Sequence, residues 1–160
     1  MREFFLTLGY AGYAKKAPGT VGSAVALVLG VLLLTYLPSS ETYTSESTLL
    51  LLAVMIGVIS IKQIDIYEKE TNTHDDKKIV IDELVGMWIA LALSGATIFQ
   101  IVASFIFFRI LDIKKPSIIG KADKMKGGMG VVLDDALAGL FAGLLSALSY
   151  KIYLYLLTMV

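Results

Sequence analysis

Four apolar stretches constrain this chain before anything else: Val21–Leu37, Thr48–Ile61, Leu84–Phe108 and Val131–Val160. They bring the hydrophobic fraction to 56% and the mean hydropathy to +0.75, whereas an ordinary soluble domain is ~45–50% apolar. Strand-like alternation is missing. In hydrocarbon every backbone polar group must find its partner within the spanning segment, and helices do that. The expectation is an all-α, polytopic membrane protein. At 160 residues there is room for a single domain, over 1–160, and no repeat or low-complexity segment divides it.

The third stretch decides the topology, because Ser94-Gly95-Ala96-Thr97 interrupts it. Read as one helix of about 25 residues it would span a bilayer and put residues 62–83 and 109–130 on opposite faces. Read as a hairpin it gives two short helices, roughly Ile79–Leu93 and Ile98–Leu111. Each is then about 20 Å long at ~1.5 Å per residue, tolerable among longer neighbours. In the hairpin arrangement all of the 14 Lys and Arg except Lys151 share one face, and the opposite loops 38–47 and 94–97 carry none. The positive-inside rule makes the basic face cytoplasmic. About five transmembrane helices follow, with the N-terminus inside, the C-terminus outside, and 38–47 a solvated turn after Pro38. Lys151, among Tyr150, Tyr153 and Tyr155, is expected to snorkel to the outer interface. Phe4-Phe5-Leu6 is too short for a signal peptide and has Lys15-Lys16 where a cleavage site would be. Residues 1–17 are read as an interfacial arm with Phe4, Phe5 and Leu8 at the membrane surface.

Small residues mark the packing faces. Gly22, Ala26 and Gly30 recur every four residues on the first helix; Gly86 and Ala90 continue the face of Asp82, and Gly139 and Gly143 that of Asp135. Such stripes let helices approach closely in lipid, and here they aim Asp82 and Asp135 into the bundle.

The acids carry the chemistry. Of the 14 Asp and Glu, only Glu41 and Glu46 lie off the basic face. Asp82, Glu83, Asp134 and Asp135 sit at apolar helix ends, and Asp112 closes another apolar helix one turn after Arg109. Carboxylates at the edge of hydrocarbon are costly and usually functional; the plainer alternative is that each pair simply complements its helix dipole. Oxygen ligands, no Cys and one His favour a hard ion, Mg²⁺ before Zn²⁺. The five acids are therefore the candidate metal ligands, and Asp82, Glu83, Asp134 and Asp135 the candidate catalytic residues. Arg109, Lys115 and Lys126 are candidate phosphate contacts, Arg109 through its bidentate fork. Gly127 and Gly128 lead into the final helix, and Thr20 and Ser23 lie in the glycine-bearing entry to the first. Either turn serves as a phosphate cradle at a positive helix end or as a plain connection.

Exclusions narrow the class. Without Cys there is no phosphocysteine intermediate, and a single histidine, His74, cannot supply a histidine-nucleophile pair. No Asp-x-Asp is present for an aspartyl-phosphate mechanism. What remains is metal-activated water attacking a phosphate monoester, with a carboxylate as general base. A net charge of zero predicts no nucleic-acid partner.

At these segments the sequence resembles the phosphatidylglycerophosphatase A family. The matching blocks are Pro18-Gly19-Thr20-Val21-Gly22-Ser23; His74-Asp75 with Ile79 to Trp88; Phe108-Arg109-Ile110-Leu111-Asp112-Ile113-Lys114-Lys115-Pro116; and Gly127-Gly128-Met129-Gly130 with Asp134-Asp135 and Ala138-Gly139. They occur in the family's order. Lys126 departs from the pattern, since some members carry His before the glycine pair. The resemblance implies a helical protein of the bacterial inner membrane, Mg²⁺ dependence, and hydrolysis of phosphatidylglycerophosphate to phosphatidylglycerol and phosphate. A transporter would instead place charge near the bilayer midplane. A headgroup transferase would carry an Asp-Gly-x-x-Ala-Arg block, which is absent.

Overall fold

The computed structural model describes residues 1–36, 44–73 and 76–159. His74 and Asp75 lie outside the described residues, as does most of the proposed 38–47 turn. The described chain is all helical, with no strands. α1 (Arg2–Leu6) and a 3₁₀ turn (Ala11–Tyr13) precede α2 (Pro18–Tyr36) and α3 (Thr44–Thr71). Then come α4 (Ile81–Ser94), α5 (Ile98–Lys114), α6 (Ile118–Asp123) and α7 (Gly128–Leu157). α2, α3 and α7 are long and apolar enough to cross a membrane. At 14 and 17 residues, α4 and α5 are shorter than the ~20 residues of a typical span.

The expected extents of the 38–47 turn and of the second apolar helix need correcting. Residues 44–47 belong to α3 rather than to a solvated turn, and α3 continues past Ile61 to Thr71. The polar sequence from Lys62 onward stays helical because one side still has something to pack on: Ile64 is fully buried, and Tyr67 lies against the core. Residues 109–130 likewise hold the end of α5 and all of α6.

α4 is the central helix, buried along nearly its whole length from Ile81 to Leu91. A helix that is apolar all round must be covered all round, and α2, α3, α5 and α7 pack against it. Small residues make the fit. A side chain on Gly139 would overlap the Gly86 carbonyl, and one on Gly143 would put its Cβ 2.7 Å from the Ala90 oxygen. On the other side, Gly22 faces Val80 and Gly30 faces Trp88 and Leu91, while Trp88 Nε1 donates to the Ala26 carbonyl at 2.9 Å. The outward faces of α2, α3 and α7 expose Val28, Leu32, Leu51, Met55, Leu144 and Leu148, an apolar girdle suited to lipid contact.

The break between α4 and α5 falls where the polar interruption predicts. Gly95 takes φ 98°, a conformation open mainly to glycine. Thr97 and Gln100 then form a reciprocal capping box at the start of α5, and the Gln100 amide reaches back to the Ser94 carbonyl. Ser146 of α7 donates to the Gln100 carbonyl at 2.9 Å, fixing the hairpin to the bundle. Phe99, Tyr150 and Tyr153 stack beside it, Phe99 and Tyr153 with centroids 5.3 Å apart.

The N-terminal arm is held onto the protein. Leu6 is buried, Phe5 and Leu8 pack on the core, and the Leu6 carbonyl accepts from Val80 N at 2.9 Å. Phe4 is the exposed member of the apolar trio.

Candidate active site at the ends of four helices

Four helix ends meet around one cavity of about 270 Å³, at the end of the bundle opposite the Gly95 turn. α4 begins there and brings Asp82 and Glu83; α5 ends there and brings Asp112; the first turns of α7 bring Asp134 and Asp135; α2 begins there with Pro18 and Gly19. Why these acids converge follows from the glycines. Asp82 and Gly86 are four residues apart on α4, as are Asp135 and Gly139 on α7, so each pair shares a helix face. Contact between the glycine backbones brings the carboxylates one turn away together. A Cβ on Gly86 would lie 2.5 Å from the Asp135 carbonyl.

Asp82, Glu83 and Asp135 each offer one oxygen within 4.8 Å of the others, and so do Asp112, Asp134 and Asp135. Three buried carboxylate oxygens have no hydrogen-bond partner: Asp82 Oδ1, Glu83 Oε2 and Asp134 Oδ1. A buried oxygen left unpaired costs about 1–3 kcal/mol, more when charged. Such a set fits a hard divalent cation, which would take these oxygens as ligands. The five acids picked out from the sequence are thus brought together.

The basic candidates are placed differently from one another. Lys115 lines the cavity and hydrogen-bonds Asp134 Oδ2 at 2.6 Å and Asp123 of α6. It sits at the end of α5 in the left-handed conformation, φ 44°, before Pro116, which favours an end to the helix. Partial burial works against its charge, but the two carboxylates outweigh that and hold the ammonium above the ordinary lysine range. Arg109 lies behind the cavity wall. Its Nη1 pairs with Asp112 Oδ2 at 2.8 Å and donates to Ser23 Oγ at 3.0 Å, and Ser23 in turn donates to the Gly19 carbonyl at 2.8 Å.

The remaining candidates stand off the cavity. Thr20 lies along an apolar groove on the outer face of α2, with Val21, Ala24 and Val28. Lys126 is exposed. At the Gly127–Gly128 turn, Gly128 N donates to Asp65 Oδ1 at 2.7 Å, so an acid of α3 occupies the amide read as a phosphate donor.

Sequence reasoning passed over Lys77, Asp123 and Met125, which also line the cavity, and took Pro18 and Gly19 only as part of the entry to α2 without naming them as site residues. For Gly19 a signal existed: it shares the face of Ser23 four residues on, whereas Thr20 points about 100° away. Asp123 and Lys77 had none, because their place depends on how α6 packs on α7 and how the segment before α4 runs.

A family profile for phosphatidylglycerophosphatase A matches residues 4–150. The chain belongs to the phosphatidylglycerophosphatase A family. The Escherichia coli (strain K12) phosphatidylglycerophosphatase A is 38% identical over 144 residues, covering 88% of this chain and 79% of that protein. The Haemophilus influenzae phosphatidylglycerophosphatase A is 34% identical over 140 residues, 86% of this chain and 82% of that one. A Bacteroides thetaiotaomicron protein provisionally named a phosphatidylinositol-3-phosphatase is 32% identical over 142 residues, 87% of each. No solved structure matches. As a member of the phosphatidylglycerophosphatase A family the chain is a lipid phosphatase, and the acidic cavity is its candidate active site.

Proposed function

We propose that this protein is a magnesium-dependent phosphatidylglycerophosphatase of a bacterial inner membrane, working at the cytoplasmic face. The observation that carries the reading is the set of three unpartnered, buried carboxylate oxygens on residues lining one cavity, with Lys115 lining it too. Anionic oxygens and an ammonium around one space suit a cation and a phosphate together.

In this reading Asp82, Glu83, Asp112, Asp134 and Asp135 hold magnesium. When bound, magnesium supplies positive charge against the phosphoryl oxygens and acidifies the attacking water. Lys115 and Lys77 face the phosphate. Arg109 positions Asp112 by their direct ion pair and is itself anchored on Ser23. One of Asp82, Glu83, Asp134 and Asp135 takes the proton from the water as it attacks phosphorus. The phosphate–glycerol P–O bond breaks, the lipid hydroxyl regains a proton, and inorganic phosphate departs. Thr20 and its groove on α2 lie where an acyl chain would run, and Lys126 adds positive charge near the headgroup.

α2, α3, α4, α5 and α7 are the five crossing segments of this reading, with the N-terminus inside. The apolar girdle and the Lys/Arg asymmetry support it, and a cavity at the basic end meets a lipid headgroup at its own depth. The test is phosphate release by the purified protein from phosphatidylglycerophosphate in mixed micelles. Release is expected with Mg²⁺ and lost in EDTA. Equal release in EDTA would overturn the metal requirement. Faster release from phosphatidylinositol 3-phosphate would replace the substrate.

A further inference from the structure

The five carboxylates do not form one ring. They fall into two groups that share a single residue: Asp82 and Glu83 with Asp135 on one side, Asp112 and Asp134 with Asp135 on the other. Each group has its own unsatisfied oxygen. Glu83, 9% exposed, leaves Oε2 without a partner on the first side; Asp134, 4% exposed, leaves Oδ1 without one on the second. A single cation satisfying the first group would leave the Asp134 oxygen unpaired, and the reverse holds for the second.

The groups also differ in charge. On the second side Asp112 is paired with Arg109 and Asp134 with Lys115. Among the described residues no salt bridge reaches Asp82 or Glu83. On the first side a cation therefore has no ion pair to displace at Asp82 or Glu83, while on the second it meets carboxylates already paired with Arg109 and Lys115.

Resting on the cation reading proposed above, we infer that the site takes two divalent cations bridged by Asp135, and that they bind in order. The Asp82–Glu83 side fills first and tightly. The Asp112–Asp134 side fills second and more weakly, because its cation competes with the Lys115 ammonium for Asp134. Two cations sharing one carboxylate suit phosphate chemistry, since one can attend the attacking oxygen and the other the leaving one.

The probe is Mn²⁺ titrated into the purified full chain in detergent, with free Mn²⁺ read by electron paramagnetic resonance. Two Mn²⁺ per chain in two resolved steps are expected, the second accompanied by exchange broadening of the bound signal at low temperature. Glu83→Gln should weaken the tighter step at least tenfold. Lys115→Gln should tighten the weaker step about tenfold and leave the tighter one in place. One Mn²⁺ per chain in the wild type would overturn the pair while leaving a one-metal phosphatase standing; no bound Mn²⁺ would overturn the cation reading itself. Two steps with the weaker unmoved by Lys115→Gln would overturn the competition and the order.

Discussion

Gly139 on α7 is seated directly against the carbonyl of Gly86 on α4, and one helical turn from that contact Asp135 meets Asp82. Helix packing and site assembly are therefore the same event. Gly139→Ala should force the two backbones apart, an overpacking that costs about 1–3 kcal/mol, and it should weaken Mg²⁺ binding as well. Gly57→Ala is the control, because its Cβ would meet Val85 and Val132 at an ordinary 3.4 Å. Melting temperature in detergent and Mg²⁺ affinity, measured together, should fall for the first variant and hold for the second.

Crowded carboxylates predict an unusual response to metal. Without a cation the five acids repel one another and strand buried oxygens; with one they become ligands. Mg²⁺ should raise the melting temperature, by an amount corresponding to about 2.7 kcal/mol at a hundred times its dissociation constant. Asp135→Asn should remove most of that shift and yet melt no lower than the wild type in EDTA. A scan of both proteins with and without Mg²⁺ decides it; an Mg²⁺ shift of full size in Asp135→Asn would take Asp135 out of the site.

Arg109 holds Asp112 and Ser23 with one guanidinium, which a lysine cannot reproduce with the same geometry. Arg109→Lys should lower kcat/KM roughly tenfold, about 1.4 kcal/mol, in a protein that still folds. Ser23→Ala should cost less, since the Asp112 pair survives. Unaltered turnover in Arg109→Lys would remove this positioning role.

The absence of cysteine makes the orientation directly measurable. Ala96 is exposed at the α4–α5 turn and Lys124 is exposed just after α6. Ala96→Cys should react with an impermeant thiol reagent in intact cells, and Lys124→Cys only after permeabilisation. The opposite pattern would invert the proposed topology.

How much of this was legible in the chain depends on the range of the interaction involved. Helix type, the break at Ser94–Thr97 and the small-residue faces are local or periodic properties, and apolar runs, a turn-forming glycine and a four-residue spacing determine them. The same periodicity put Asp82 with Gly86 and Asp135 with Gly139, and the position of Glu83, Asp112 and Asp134 at apolar helix ends on the same basic face added the other three acids. Tertiary structure decided what no spacing encodes. Polar residues after Ile61 stay helical because Ile64 finds a buried place. The Gly128 amide goes to Asp65, 63 residues away, and Arg109 reaches Ser23, 86 residues away. Lys115 is divided between Asp123 and Asp134 because α6 folds back beside α7. A hydrogen bond forms with whichever partner the packed helices bring within about 3 Å, and over such separations only the packing of the bundle chooses the partner.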